Sequence, residues 1–155
     1  MVLGKGDGTL HAPLRGFISP CELRKQVLDD VNGDGTPNLA VTYCSDKKYA
    51  GIALGRKDGT FAALAQVELG QSATGVAIKG VNGDGKLDLI VTFELSVAVF
   101  VGHGNGRFYQ PLQFGPDRNS GAISVGDIDA DGKLDALFGN GGDRPSISVP
   151  LNQTR

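Results

Sequence analysis

The feature that most constrains this chain is an internal repeat. Three acidic segments align without gaps and read DVNGDGTPNLAVTY from Asp30, GVNGDGKLDLIVTF from Gly80 and DIDADGKLDALFGN from Asp127. Their starts lie 50 and then 47 residues apart. A fixed period of roughly 20 to 50 residues is the sequence signature of solenoids, propellers and repeat arrays.

A second motif alternates with the first. It reads LGKGDGTL from Leu3, LGRKDGTF from Leu54 and VGHGNGRF from Val101, with spacings of 51 and 47 residues. Two independent motifs that share one period argue against chance similarity. The Asp-Gly and Asn-Gly pairs within this motif predict tight hairpin turns, because glycine tolerates positive φ angles.

The composition agrees with many short strands. Glycine accounts for 24 of the 155 residues, about twice its average usage of about 7%, which argues against long helices. Runs such as LAVTY, LDLIVTF and VAVFV are rich in β-branched and aromatic residues, as buried strands are. We therefore predict an all-β fold of β-propeller blades, each a four-stranded antiparallel sheet, with about three blades per chain.

The predicted blades form one propeller segment over residues 1–155. The repeats cover approximately residues 23–69, 74–114 and 121–152, with an outer strand at 10–18. The predicted strands are 23–31, 38–44, 49–54 and 61–69, then 75–81, 88–93, 97–101 and 108–114, then 122–128, 135–138 and 147–151.

Three blades cannot close a ring, because propellers typically have about 4–8 blades. The first residues match the end of a third strand, a hairpin and a fourth strand, whereas the last residues match a third strand. The two ends are therefore complementary in phase. Either two copies exchange terminal strands and close a six-bladed ring as a homodimer, which we favour, or the segment is part of a longer array.

The acidic repeat has the pattern D-x-D-x-D-G-x-x-D, which places oxygen ligands at alternating positions of a tight loop. Its fullest form combines Asp127, Asp129, Asp131 and Asp135 with the backbone carbonyl of Lys133. Ca²⁺ prefers about 6–8 oxygen ligands, and carboxylates this close repel one another without a cation. We predict a calcium site here; the alternative is an Asp-rich turn without metal.

The first loop offers fewer carboxylates. Its ligand positions are Asp30, Asn32, Asp34, Thr36 and Asn38. Because Asn replaces Asp at the third and ninth positions, we predict weaker calcium binding than in the last loop.

The second loop departs furthest from the pattern. Gly80 stands at the first ligand position and has no side chain to offer, and Asn82, Asp84, Lys86 and Asp88 follow at the other positions. Calcium binding and a metal-free turn are equally good interpretations of this loop. None of the three loops is an EF-hand, which needs a Glu at position 12 and flanking helices. That position is held by Val41, Val91 and Phe138.

These motifs resemble the FG-GAP/VCBS repeats of integrin-α-type β-propellers, in which a D-x-[DN]-x-D-G-x-x-D loop binds calcium in each blade. The resemblance covers the chain from Val2 to about Asn152. It implies a propeller fold, calcium in the loops above, and an extracellular or cell-surface location. The Phe-Gly…Gly-Ala-Pro signature of the family is kept only at Phe138-Gly139. Family functions include adhesion, carbohydrate binding and accessory roles in enzymes.

Composition and motif content argue against several function classes. With 15 basic and 17 acidic residues and a net charge of −2, we expect no nucleic-acid binding. We expect no membrane span, and the first residues lack the pattern of a signal peptide. His11 and His103 lie in different segments, so spacing predicts no catalytic arrangement. Cys21 and Cys44 are too few for a disulfide scaffold; free thiols and one disulfide both stay open.

Three functional hypotheses follow. The first, which we favour, is a non-catalytic calcium-stabilised module that binds a protein or carbohydrate ligand through loops on one face, as a scaffold or a lectin-like propeller. The second is an accessory or catalytic segment of a hydrolase-type propeller enzyme. The third is a structural repeat with no ligand besides calcium.

Overall fold

The computed structural model describes residues 5–9, 22–43, 47–94, 96–114, 120–131, 135–140 and 146–148. Within these ranges the chain forms eleven β-strands and no helix. The predicted outer strand at 10–18 and both alternatives for Cys21 and Cys44 fall outside the described residues.

The first two sheets each contain four antiparallel strands in chain order. The first sheet is built from β1 (Leu23–Asp29), β2 (Asn38–Tyr43), β3 (Tyr49–Ala53) and β4 (Ala65–Glu68). The second is built from β5 (Gly75–Lys79), β6 (Asp88–Thr92), β7 (Val97–Phe100) and β8 (Leu112–Phe114). The predicted all-β class and these two sheets are confirmed.

The third sheet has three antiparallel strands in the order β11-β10-β9. They are β9 (Ser120–Gly126), β10 (Asp135–Asn140) and β11 (Ser146–Ser148). The alignment of the acidic repeats therefore translates into equivalent strands, because each acidic segment leads into the second strand of its sheet.

The fourth strands are shorter than predicted. Phe61 and Phe108 form only isolated bridges with Gly55 and Gly102, and the chain rejoins the ladder at β4 and β8 several residues later. In the first sheet, the intervening Leu64 side chain lies over Gly51, where an added Cβ would be 2.6 Å from its Cδ2 atom. In the second sheet, the intervening segment includes Pro111, which has no N–H to donate to a ladder.

The main hydrophobic cluster lies between the first two sheets. It joins Ala40 and Ile52 of the first sheet to Leu89 and Val91 of the second, and each is at most 2% exposed. A smaller cluster around Ile90 uses the opposite face of the second sheet. Because successive side chains of a strand point to opposite faces, β6 is buried on both sides, which accounts for its continuous apolar run.

The first strands of consecutive sheets are neighbours. β1 contacts β5, and β9 contacts both β5 and β6. The three sheets therefore stack one after another in chain order, with the second sheet between the other two.

Candidate metal centre

The three acidic loops occupy equivalent places in the fold. Loop I (30–38), loop II (80–88) and loop III (127–135) each connect the first strand of a sheet to the second. The ninth residue of each loop is the first residue of the second strand and is at most 2% exposed.

A shared hydrogen bond closes each loop at its base. The backbone N–H of the second loop residue donates to a side-chain oxygen of the ninth residue. The three bonds are Val31 N to Asn38 Oδ1 at 2.9 Å, Val81 N to Asp88 Oδ2 at 2.8 Å and Ile128 N to Asp135 Oδ2 at 2.8 Å. The ninth position therefore has a structural role in all three loops, whether or not a metal binds.

Loop III brings three of its predicted ligands together. Carboxylate oxygens of Asp127, Asp129 and Asp135 all lie within 4.8 Å of one another. Asp127 and Asp129 are exposed, and the N–H of Asp131 donates to both, at 3.1 Å and 3.3 Å. This is the only such group of three potential acidic or histidine ligands among the described residues. The predicted carbonyl ligand Lys133 falls outside them.

The chemistry of this group fits a hard divalent cation. Three carboxylates supply oxygen donors, which Ca²⁺ prefers. Without a counter-charge, carboxylates at such separations repel one another. Asp135 is 2% exposed, so bulk water does little to screen its charge.

In loop I, backbone N–H groups surround the first carboxylate. Asp30 Oδ1 accepts from Gly33 N at 2.8 Å and Asp34 N at 3.2 Å, and its Oδ2 accepts from Gly35 N at 2.7 Å. The predicted ligand Asp30 is therefore held in a fixed orientation inside the loop.

The Asn32 side chain of loop I has one oxygen without a hydrogen-bond partner. Its Nδ2 donates to Asp34 Oδ2 at 2.8 Å, whereas its Oδ1 is buried without a hydrogen-bond partner. A buried acceptor left unsatisfied costs about 1–3 kcal/mol, and a bound cation would remove that cost. This orphaned oxygen stands at the third ligand position of the repeat.

Hydrogen bonds also stabilise the charged form of Asp34. The Asn32 side-chain amide, followed by the backbone N–H of Thr36, holds the pKa of the Asp34 carboxyl below its ordinary value. Thr36 N donates to Asp34 Oδ1 at 2.7 Å. The Thr36 carbonyl, a predicted ligand, accepts from Asn38 Nδ2 at 3.2 Å. Asp34 thus stays ionised at neutral pH, as a cation ligand must.

Loop II is arranged differently. A Cβ atom on Gly80 would lie 2.6 Å from the Lys86 carbonyl oxygen, so the backbone leaves no room for an aspartate at this position. Asp88 accepts from Val81 N through one oxygen and from Gly102 N through the other, both at 2.8 Å.

The remaining ligands of loop II bond to the loop itself. Asn82 Oδ1 accepts from Asp84 N at 3.1 Å, and Asp84 Oδ1 accepts from Lys86 N at 2.9 Å. The Lys86 ammonium lies 3.9 Å from Asp84 Oδ2 and supplies a positive charge of its own. Of the three loops, loop II offers a cation the poorest set of oxygen donors.

The second sequence motif, which contains Gly55 and Gly102, packs against the acidic loops. This contact was not predicted from the sequence. A Cβ on Gly55 would clash with the Pro37 carbonyl oxygen, and one on Gly102 would clash with the Leu87 carbonyl oxygen. The Leu-Gly and Val-Gly pairs are thus points of close backbone approach. The common period of the two motifs was the available signal for this contact.

A hairpin of the second sheet also reaches loop I. Gly106 N donates to the Val31 carbonyl at 3.3 Å. His103, which the sequence placed in this hairpin, stacks on Tyr109 with ring centroids 3.6 Å apart. Both side chains are exposed. Hairpins and acidic loops therefore share one end of the sheets.

The stacked sheets and their acidic loops define an all-β repeat module. Residues 80–138, which run from loop II through loop III, match the family model described as an FG-GAP-like repeat. The predicted resemblance to FG-GAP repeats is confirmed over these residues. Such repeats are typically non-catalytic modules.

A search of curated proteins finds no match to the chain. In the part of the chain that the structure describes, no helix has the length and apolar character needed to span a membrane.

Proposed function

We propose that the chain is a calcium-binding β-propeller module that acts as a non-catalytic scaffold for binding or adhesion. The observation that carries this proposal is the meeting of Asp127, Asp129 and Asp135 oxygens within 4.8 Å. They meet inside the segment that matches the FG-GAP-like repeat. Oxygen-only donor sets of this kind suit Ca²⁺.

Loop III is the strongest proposed site. Asp127, Asp129, Asp131 and Asp135 would hold the cation together with the Lys133 carbonyl. Calcium supplies the positive charge that offsets the repulsion among these carboxylates. Because the ligands converge only when the loop is folded, binding would stabilise the native state.

Loop I is the second proposed site, and loop II is the weakest. The buried, unpartnered Asn32 Oδ1 supports a cation near Asp34 in loop I. In loop II, the close approach of Gly80 to the Lys86 carbonyl supports little or no binding.

The propeller arrangement rests on how the sheets stack. Each sheet places its first strand beside the first strand of the next, as the innermost strands of propeller blades do. The acidic loops and hairpins at one end of the stack would form the surface for a ligand. A protein or a carbohydrate ligand, met outside the cell, is the partner we propose for that surface. A glycan array and binding assays with extracellular proteins distinguish the two.

Thermal unfolding tests the calcium proposal. The melting temperature, followed by circular dichroism, should rise with calcium concentration and fall when a chelator is added. Magnesium at the same concentrations is the control, because it demands a tighter octahedral geometry and dehydrates reluctantly. A melting temperature that responds to neither calcium nor chelator would contradict the proposal.

A further inference from the structure

Asn-Gly pairs recur in the turns of the first two sheets. The described residues contain three of them: Asn32-Gly33 in loop I, Asn82-Gly83 in loop II and Asn105-Gly106 in the β7–β8 hairpin. Glycine has no Cβ, so its backbone nitrogen can approach the side-chain amide carbon of the preceding asparagine. Attack at that carbon deamidates the asparagine. Each pair is therefore a candidate deamidation site, and its surroundings decide whether it reacts.

Loops I and II allow a direct comparison, because the local sequence around their Asn-Gly pairs is the same. Both read VNGDG, from Val31 in loop I and from Val81 in loop II. The preceding residue is Asp30 in the first loop and Gly80 in the second. The intrinsic reactivity of the two asparagines is thus matched, and any difference between them in the folded chain comes from its hydrogen bonds.

Loop I holds every atom that would have to react. The attacking nitrogen, Gly33 N, donates to Asp30 Oδ1 at 2.8 Å, and a carboxylate is too weak a base to remove an amide proton. The leaving group, Asn32 Nδ2, donates to Asp34 Oδ2 at 2.8 Å. Asn32 Oδ1 is buried without a donor, so nothing stabilises the negative charge that would develop on it.

Loop II has the opposite arrangement. Gly80 has no side chain to bond to Gly83 N, and this N–H has no hydrogen-bond partner among the described residues. Asp84 N donates to Asn82 Oδ1 at 3.1 Å, which folds the asparagine side chain back over its own backbone. The same bond places a donor at the oxygen where negative charge develops. Asn82 and Gly83 are both exposed, so water reaches them.

The hairpin pair combines features of both loops. Arg107 N donates to Asn105 Oδ1 at 3.1 Å, as Asp84 N does to Asn82 in loop II. However, Gly106 N donates to the Val31 carbonyl oxygen at 3.3 Å. The attacking nitrogen is therefore engaged by a neutral acceptor, and we expect Asn105 to react at a rate between those of the other two pairs.

We propose that Asn82 is a site of spontaneous deamidation, whereas Asn32 is protected by Asp30. Gly83 N gives up its proton to solvent and forms a bond to Asn82 Cγ. The bond from Cγ to Nδ2 breaks, and Nδ2 takes up a proton and leaves as ammonia. Water then opens the cyclic imide. Cleavage between Cγ and the nitrogen gives aspartate, and cleavage at the backbone carbonyl carbon gives isoaspartate.

The reaction changes the chemistry of loop II. Aspartate at position 82 places a carboxylate at the third ligand position of the repeat, where loop III has Asp129. Isoaspartate instead lengthens the backbone of the turn by one carbon atom. Either product adds one negative charge to a chain whose net charge is −2. The deamidation itself does not depend on whether the loops bind calcium.

Mass spectrometry of the folded chain, incubated in neutral buffer with a chelator, tests this proposal. Trypsin separates the three pairs into peptides 26–47, 80–86 and 87–107, so each conversion of amide to acid is followed by itself. We expect Asn82 to deamidate roughly tenfold faster than Asn32 or more, because Gly33 N must first break a hydrogen bond to a charged group. In urea, where these bonds are lost, the rates of the two VNGDG segments should converge.

Two variants of Asp30 test the cause of the protection. Asp30→Gly gives loop I the residue that loop II has, and Asn32 should then deamidate at a rate close to that of Asn82. Asp30→Asn is the matched control, because its side-chain oxygen can still accept from Gly33 N. It should keep Asn32 slow. Circular dichroism checks that both variants fold.

Three results would overturn the proposal. Asn32 and Asn82 reacting at equal rates in the folded parent chain would show that the hydrogen bonds of loop I give no protection. An Asn82 that stays intact in the folded chain, while it deamidates in urea, would exclude the site. An unchanged rate at Asn32 in a folded Asp30→Gly variant would exclude Asp30 as the protecting group.

Discussion

Ala130 holds a left-handed backbone conformation in loop III. Its φ is 61°, and the equivalent residues Gly33 and Gly83 have φ values of 72° and 76°. A side chain with a Cβ in this region costs roughly 1–2 kcal/mol, and such strain often accompanies functional loops. Loop III therefore keeps its turn at a cost that the other two loops avoid.

Exchanging these residues measures that cost. Ala130→Gly should raise the free energy of unfolding by about 1 kcal/mol, because glycine adopts positive φ without a steric penalty. Gly83→Ala should lower it by about 1–2 kcal/mol, and it is a clean reversal because nothing lies within 4 Å of its added Cβ. Urea unfolding in a chelator measures both. Effects of the same sign, or no change in either variant, would contradict the strain.

A hairpin aspartate provides the pH-dependent prediction. Two hydrogen bonds from Thr60 lower the pKa of the Asp58 carboxyl. The larger effect comes from the hydroxyl, which donates at 2.7 Å, and the smaller from the backbone N–H, which donates at 2.9 Å. Because the folded pKa lies below the unfolded value, these bonds stabilise the fold at neutral pH. That contribution is lost as pH falls through the folded pKa.

Thr60→Val removes the hydroxyl and keeps the backbone bond. The pKa of Asp58, followed by NMR titration, should therefore move up toward its ordinary value. The pKa of Asp7, which Thr9 lowers in the same way, is the internal control and should stay where it is. An unchanged pKa for Asp58 would show that the hydroxyl contributes nothing.

At the scale of elements, the two sequence motifs contact each other in the folded chain. The β7–β8 hairpin begins at Gly102, whose N–H donates to Asp88 at 2.8 Å and whose Cα leaves no room for a Cβ beside the Leu87 carbonyl. This contact fixes the second motif against the base of loop II. Their shared period follows from that physical attachment.

Gly102→Ala should weaken the contact between the β7–β8 hairpin and the base of loop II. Because the added Cβ meets backbone rather than a flexible side chain, we expect a loss of about 1–3 kcal/mol in the free energy of unfolding. Gly126→Ala is the matched control, since its Cβ meets nothing within 4 Å and should change stability by less than about 0.5 kcal/mol. Similar values for the two variants in chemical unfolding would rule out the close approach.

The acidic loops should differ in their response to calcium. Asp129→Ala removes one of the three converging carboxylates of loop III, whereas Asp84→Ala removes a carboxylate that already lies near the Lys86 ammonium. The calcium-dependent rise in melting temperature should therefore shrink more in Asp129→Ala than in Asp84→Ala. Equal and negligible changes would count against this ranking.

At the scale of the whole molecule, the repeat predicts most of the architecture. The second strands begin at Asn38, Asp88 and Asp135 as expected, because each follows an acidic turn and opens an apolar run. The short fourth strand of the first sheet was not predictable, since it depends on Leu64 lying over Gly51 in the folded chain. In the second sheet, Pro111 was a signal that the sequence did contain.

The site could be predicted only in part. Oxygen donors at alternating positions mark Asp127 and Asp129 in the sequence. At Gly80 the sequence shows only that the first ligand has no side chain. The structure shows why: the Lys86 carbonyl leaves no room for a Cβ there. No sequence pattern could predict that the Asn32 side-chain oxygen lacks a hydrogen-bond partner, because this depends on burial in the folded chain.

Stacked sheets and converging carboxylates together support one central proposal: loops I and III bind calcium, and loop III binds it most tightly. Isothermal titration calorimetry of the metal-free chain with calcium tests this directly. We expect saturable binding of at least one calcium per chain, with the tightest site lost in a variant that carries both Asp127→Ala and Asp129→Ala. No measurable binding, or the same binding in that variant as in the parent, would contradict it.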